Sequence, residues 1–154
     1  MLAVLFAAAG SFLLLRSAPR DAPSVSSFTE DEDVLSVSSF IDGYFSSWSA
    51  QLMDEYERCF HPTATIHWVA PDGRPFSSPL QPFILGQTEA HRRATKPMNE
   101  VPLKKTIHVN GTLAHAEVEW QLSKGSETVT GVDIFSLVRT GDGWKILSLV
   151  YASH

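Results

Sequence analysis

The stretch that decides the fold is TIHVNGTLAHAEVEWQL, residues 106–122. At its centre stands Asn110-Gly111, the strongest short-range signal for a β-hairpin, because both residues of a tight hairpin turn must tolerate positive φ. Beyond the turn, Ala114, Ala116, Val118, Trp120 and Leu122 alternate with His115, Glu117, Glu119 and Gln121. A period of two with one dry and one wet face predicts a strand lying on a core.

Toward the C-terminus the same period continues. Lys124-Gly125-Ser126 and Thr140-Gly141-Asp142-Gly143 supply two further turns. They divide the chain into strands of about 103–109, 112–122, 128–139 and 143–151, joined as an antiparallel meander. The last two are apolar on both faces, with Val132, Ile134 and Val138 opposite Phe135 and Leu137, and Ile146 and Val150 opposite Leu147 and Leu149. Burial on both sides predicts helices over one face and, over the other, a subunit partner or a terminal segment.

Toward the N-terminus the period changes to that of a helix. Val34, Val37, Ile41, Tyr44 and Trp48 recur at spacings of three and four, with Phe40 and Phe45 widening the stripe. Thr29 with Glu32 forms a capping box ahead of them. A second helix follows, with Leu52, Tyr56, Cys59 and Phe60 inward and Asp54, Glu55, Glu57 and Arg58 outward; His61-Pro62 is expected to end it. Ala64–Val69 reads as a strand with Ala64, Ile66 and Trp68 on one face and Thr65 and His67 on the other, closed by the Pro71-Asp72-Gly73 turn. Residues 79–94 are ambiguous: a helix could begin at Pro82, although Gly86 weakens it.

The totals agree with a single domain. A chain of 154 residues with 44% hydrophobic and 19% charged residues can bury a core without a disulfide or structural metal. Its formal charge of −5 repels a phosphate backbone, and the body becomes more negative still without the first 23 residues, which carry Arg16, Arg20 and Asp21. Nucleic acid is therefore not an expected partner. The short basic clusters, His91-Arg92-Arg93 with Lys96 and Lys104-Lys105, read as solvated faces. Cys59 is the single cysteine and reads as a core thiol, so disulfides do not contribute.

Residues 1–27 stand apart. Leu2–Leu15 is an almost unbroken apolar run, short for a bilayer span, which takes about 20 residues, and suited to a secretory signal. No basic residue precedes it and no clear small-x-small cleavage site follows directly, so a short anchor, an organelle-targeting leader and a misplaced start codon stay open. The expectation is a leader over residues 1–27, with membrane contact only through residues 1–16, and a folded domain over residues 28–154. Localisation is secretory or organellar if the leader is genuine and cytoplasmic otherwise. Asn110-Gly111-Thr112 is also a glycosylation triplet, of consequence only on the secretory route.

The order helix, helix, strand, irregular helix and four-strand meander resembles the nuclear transport factor two-like superfamily, which includes SnoaL-like cyclases and ketosteroid isomerases. The matching stretches are Cys59–Ile66, Gly131–Arg139 and Gly143–Ile146, and the resemblance spans residues 29–152. It implies an α+β fold, a cone-like α+β barrel whose curved antiparallel sheet is wrapped by N-terminal helices around a pocket. The resemblance to ketosteroid isomerases places an oxyanion-hole tyrosine on Tyr44 and an oxyanion-hole aspartic acid on Asp133. The general base of that family falls on Trp68, which cannot accept a proton from carbon.

Two functions follow. The first is a binding domain for a small hydrophobic or aromatic ligand, with Trp48, Trp68, Phe83 and Phe135 as walls. The second is an isomerase, cyclase or dehydratase acting next to a carbonyl, in which Tyr44 and a protonated, buried Asp133 stabilise an oxyanion, as the resemblance to ketosteroid isomerases implies. This second function needs a base. His67 is the nearest candidate to the missing position, although it points away from Trp68 unless a bulge re-aims it, and His91 and Glu89 are the others. His115 reads as solvent-exposed or as part of a dimer interface, since a homodimer through the outer sheet face is the expected assembly. No two histidines stand at metal-ligand spacing with a carboxylate, so neither a metal nor any other cofactor is expected.

Overall fold

The computed structural model describes residues 30–154; the leader and Thr29 of the capping box lie outside the described residues. The element order is α1 (Glu30–Ser49), α2 (Met53–Arg58), β1 (Phe60–Val69), β2 (Pro75–Pro79), α3 (Leu80–Arg93), β3 (Met98–Asn110), β4 (Leu113–Lys124), β5 (Glu127–Thr140) and β6 (Gly143–Ser153). The six strands form one curved sheet in the order β2-β1-β6-β5-β4-β3. β1 runs parallel to β6 and every other pair is antiparallel. The sheet stays open, with β2 and β3 as its edges.

The concave face holds the core. From α1 the side chains of Val37, Ile41, Tyr44, Phe45 and Trp48 are buried, the stripe that the spacing predicted. They meet Ile66, Ala116, Val118, Phe135, Leu137, Ile146 and Leu149 from the sheet. Each fully buried aliphatic or aromatic side chain among these contributes about 1.5–3 kcal/mol of transfer free energy. α1 lies along β3 and α3 over β1, with α2 joining the two helices. On the convex side Val132, Ile134, Val138 and Val150 are half-buried, while Glu117 and Glu119 are exposed.

The corner between α1 and α2 is tight. Gln51 N–H donates to the Trp48 carbonyl and Leu52 N–H to the Ser47 carbonyl, the double bond of a Schellman cap. The residue at the left-handed position is Gln51, with φ of 60°, where glycine is usual. The cap turns the chain sharply enough to bring Tyr56 of α2 beside Tyr44 of α1. It also leaves Leu52 nearly half exposed, so the expectation of an inward Leu52 is corrected: that residue belongs to the corner.

Three further boundaries differ from the sequence reading. α2 ends at Arg58, and Pro62 lies inside β1 instead of closing the helix. The β1–β6 pairing is interrupted between Phe60 and Thr65, where a proline without an N–H can sit in a strand. α3 begins at Leu80, with Pro79 extended just ahead of it, and Gly86 interrupts nothing. Pro75–Pro79 is a strand, paired with β1 from Trp68↔Phe76 to Thr65↔Pro79. Its prolines suit an edge, where an N–H facing solvent has no partner to lose.

Most of the basic cluster residues are paired with carboxylates. Arg92 and Arg93 both pair with Glu89, Lys104 with Glu119 and Lys105 with Asp42. Among the described residues no group of three or more His, Cys, Asp or Glu could hold a metal ion, and no helix is long and apolar enough to cross a membrane.

Candidate functional site

Between α1, α3 and the concave face of β3–β6 lies a cavity of about 240 Å³. Trp48, Phe83, Trp120, Leu122, Leu149 and Tyr151 form most of its wall, and Tyr44, Tyr56, Gln87, Glu100 and Asp133 supply its polar groups. No lysine, arginine or histidine lines it. Trp48 is fixed by its indole N–H, which donates to Gln87 Oε1 at 2.9 Å. The α1 wall and the α3 wall are thereby tied together at the cavity.

Tyr44 stands at the polar end. Its ring is held edge-on by Phe45 at 5.1 Å and Phe135 at 5.2 Å. Tyr56 Oη donates to Tyr44 Oη at 2.9 Å, which leaves Tyr44 its own proton to donate. Burial pushes both phenols well above their usual range; Tyr56, Asp133 and Glu100 lift Tyr44 further, whereas the hydrogen bond to Tyr44 opposes the shift of Tyr56, to which Asp133 and Glu100 add. Both remain neutral hydroxyls at any ordinary pH.

Asp133 projects from β5 toward the same cavity and is 5% exposed. Burial lifts its carboxyl well above the usual range and the nearby Glu100 lifts it further, against the opposing pull of a hydrogen bond from Trp120. That bond, from the Trp120 indole N–H to Asp133 Oδ1, measures 2.7 Å. Its geometry depends on a glycine. Trp120 is registered across from Gly131, and a Cβ on Gly131 would lie 2.1 Å from the indole and 2.4 Å from the Ala152 carbonyl oxygen. Only a bare backbone lets the ring lie flat enough to reach Asp133.

Glu100, on β3, completes the polar set. Both of its backbone polar groups bond to Ser49 Oγ of α1, which fixes that stretch of the strand. Its carboxyl lines the cavity, and burial raises it to about 7.

Of the residues expected at the site, the structure brings Tyr44, Asp133, Trp48 and Phe83 to one cavity and leaves Trp68, Phe135 and His67 off its wall. Trp68 is stacked on Phe76 at 5.1 Å, with Tyr151 on its other neighbour strand at 6.5 Å. The unforeseen β2 supplies the Phe76 that occupies it, and Tyr151 lines the cavity in its place. Phe135 is wholly buried behind Tyr44. His67 alternates with Ile66 and Trp68 along β1 and opens into a surface groove with Thr65 and Ser77; no bulge re-aims it. His91 is buried against Trp48, ring centroids 4.3 Å apart, with neither ring nitrogen hydrogen-bonded, and Glu89 is bound by two arginines. Cys59 is half-buried, and its thiol, raised to about 11 by burial, stays protonated.

Sequence reasoning missed Glu100, Tyr56, Trp120, Gln87 and Tyr151 as site residues. For Glu100 a signal existed. Met98, Glu100 and Pro102 share one face of β3, but the proline concealed the alternation and the strand was expected to start at Leu103.

Comparison with known proteins extends this picture. A family model described as putative lumazine-binding matches residues 32–152. No curated protein matches the chain. Among solved structures it is similar to a putative dehydratase of the nuclear transport factor 2-like family from Streptomyces avermitilis, at 15% identity and a TM-score of 0.68, over 82% of this chain and 99% of that one. It is similar also to a nuclear transport factor 2-like protein of unknown function from Pseudomonas putida, at 13% and 0.69 over 79% and 87%. A third is the β subunit of a putative aromatic-ring-hydroxylating dioxygenase from Novosphingobium aromaticivorans, at 14% and 0.64 over 80% and 90%. At such identities the likeness concerns the fold alone.

Proposed function

The chain belongs to the putative lumazine-binding family, within the nuclear transport factor 2-like superfamily, and from that premise we propose that the cavity binds a flat molecule of one or two rings through a ring carbonyl. The observation that carries the reading is that the Tyr44 hydroxyl and the Asp133 carboxyl, whose ionisation burial disfavours, open into one aromatic-walled hollow that no lysine, arginine or histidine lines. A carbonyl oxygen placed between them accepts from both. A carboxylate or phosphate ligand would find no counter-charge there and would be repelled by Glu100.

Volume narrows the class. A hollow of about 150 Å³ accommodates benzene, and drug-sized ligands occupy about 300–1,000 Å³. At about 240 Å³ the cavity suits a bicycle and is small for a polycycle. Lumazine, the bicyclic dione in the family's description, has this size and carries both ring carbonyls and N–H groups, for which Gln87 and Glu100 are acceptors. The second reading, an isomerase, cyclase or dehydratase acting next to a carbonyl, draws its support from Glu100, a carboxyl on the wall of the same cavity. A second copy of the chain is the proposed cover for Val132, Ile134 and Val150 on the convex face, and sedimentation velocity would expose a monomer if that is mistaken.

Titration with lumazine, read by quenching of Trp48 and Trp120 fluorescence, tests the binding. Saturation at one site per chain is expected. Tyr44→Phe combined with Asp133→Leu removes two hydrogen bonds worth about 1 kcal/mol each, so affinity should fall roughly thirtyfold. Absence of saturable quenching by lumazine and by simple one- and two-ring ketones at millimolar concentration would end the proposal.

A further inference from the structure

We propose that the ligand of this cavity carries a protonated amine as well as its ring carbonyl, and that Glu100, with Trp48 and Trp120 beside it, receives the ammonium group. The inference rests on the reading that a one- or two-ring carbonyl compound binds here, and adds to it the charge of the ligand and the residue that selects for it.

The cavity has two unlike ends. Tyr44 and Asp133, both almost fully buried, make the closed one. Glu100 is registered across from Leu122, and Leu122 across from Val129. Val129 is 42% exposed and Glu100 half-buried, so this row of the sheet forms the open end. Two indoles stand by the carboxyl there. Trp120 is the diagonal neighbour of Glu100 on the same sheet face, within reach of a long side chain, and Trp48 precedes the Ser49 whose hydroxyl holds both backbone polar groups of Glu100. Both indole N–H groups are engaged, by Gln87 and by Asp133, so the two side chains have ring surface left to offer.

Among the described residues no cation answers the charge of Glu100. Glu89 is paired with two arginines, Asp42 with Lys105 and Asp33 with Arg139, whereas only the backbone of Glu100 is bonded, and no lysine, arginine or histidine lines the cavity. A carboxylate taken out of water without a counter-ion is costly, and burial alone raises this one to about 7. An ammonium group on the ligand supplies the missing charge. Asp133 is unsuited to that part, because its deeper burial and the neighbouring Glu100 both favour its protonated form. The two carboxyls therefore act differently: the protonated one donates to a carbonyl, and the ionised one accepts from a cation. The aromatic walls then choose among cations. Ring faces attract an organic ammonium, whereas a metal ion takes several oxygen ligands and finds one carboxylate here.

The test uses the full chain and two-ring ketones matched in shape: 1-indanone carrying an aminomethyl group at ring position 5 or 6, and the neutral ethyl compounds of the same size. Binding is read by tryptophan fluorescence from pH 5 to 8, a range over which the amine keeps its charge. At pH 8 the better of the two ammonium ketones should bind on the order of 10- to 100-fold tighter than its ethyl isostere, the range for a hydrogen bond to a charged group. That preference should grow with pH up to about 7, above which Glu100 is ionised before the ligand arrives, and the ethyl ketones should show no such rise. Glu100→Gln should bring the members of each pair to within about threefold of one another at every pH. The pH and isostere comparisons need only the wild-type chain. Saturable binding of an ethyl ketone with no preference for either ammonium ketone overturns the proposal and leaves the carbonyl reading standing. A preference that survives Glu100→Gln overturns it too, since the charge is then recognised elsewhere. Failure of all four ketones and of lumazine to saturate removes both readings.

Discussion

Replacing Glu100 by glutamine should make the protein more stable at neutral pH and leave it unchanged in acid. In the unfolded chain this carboxyl titrates at 4.5, and in the folded protein burial raises it to about 7. Below 4.5 it is protonated in both states and contributes no pH dependence. Between 4.5 and 7 the native state holds a proton that the unfolded state has released, so stability falls as pH rises, at most about 1.4 kcal/mol per pH unit. Above 7 both states are ionised and the loss is complete. The full interval corresponds to about 3 kcal/mol; because Glu100 is only half-buried, solvent screening reduces this to about 1–3 kcal/mol. Glutamine keeps the shape and never ionises. Urea unfolding at pH 4.5, 5.5, 6.5 and 7.5, compared between wild type and Glu100→Gln, isolates the group from every other titration. With a denaturant slope of about 1–3 kcal/mol/M, the variant's midpoint should move ahead of wild type by roughly 1 M by pH 7.5 and coincide with it near pH 4.5. A separation that is the same at all four pH values would show that Glu100 is already solvated and refute its burial beside Asp133.

Three other substitutions test the supports of the site. Gly131→Ala drives a methyl into Trp120 and the Ala152 carbonyl, so it should cost about 1–3 kcal/mol, the range for overpacking, and weaken lumazine quenching along with thermal stability. Gln51→Gly relieves a left-handed position occupied by a side chain and should raise stability by about 1 kcal/mol, visible as a higher Tm with unchanged ligand affinity. Burial holds the folded pKa of His91 below 6.5, so the unfolded chain protonates first and stability is lost as pH falls from 6.5 through that lower value; His91→Phe, which keeps the stack on Trp48, should flatten the loss in chemical denaturation at pH 5–7.

The two halves of the fold were legible for different reasons. β4 could be read residue by residue because a strand with one wet face writes its geometry into the alternation, and the Asn110-Gly111 turn fixes its register. α1 was equally plain, since five inward side chains at helical spacing have no other arrangement that buries them together. β2 and the first half of β3 were hidden by Pro75, Pro79 and Pro102. A proline in an edge strand costs little when its missing N–H would have faced water, so the residue that usually argues against a strand carries no information there. The same hidden strands account for the differences at the site. Phe76 on β2 occupies Trp68, and Glu100 on the early part of β3 brings a carboxyl to the cavity, which local patterning assigned to neither strand. Tyr44 and Asp133 were found through resemblance, whereas their partners could not have been: Tyr56 reaches Tyr44 across a left-handed corner at Gln51, and Trp120 reaches Asp133 over the bare backbone of Gly131. Such contacts depend on backbone geometry that no period of two or of 3.6 encodes. A site whose donors lie in regular elements, but whose tuning groups sit at a strained corner and an edge strand, can therefore change its base or its ligand by substitutions that leave the fold pattern untouched.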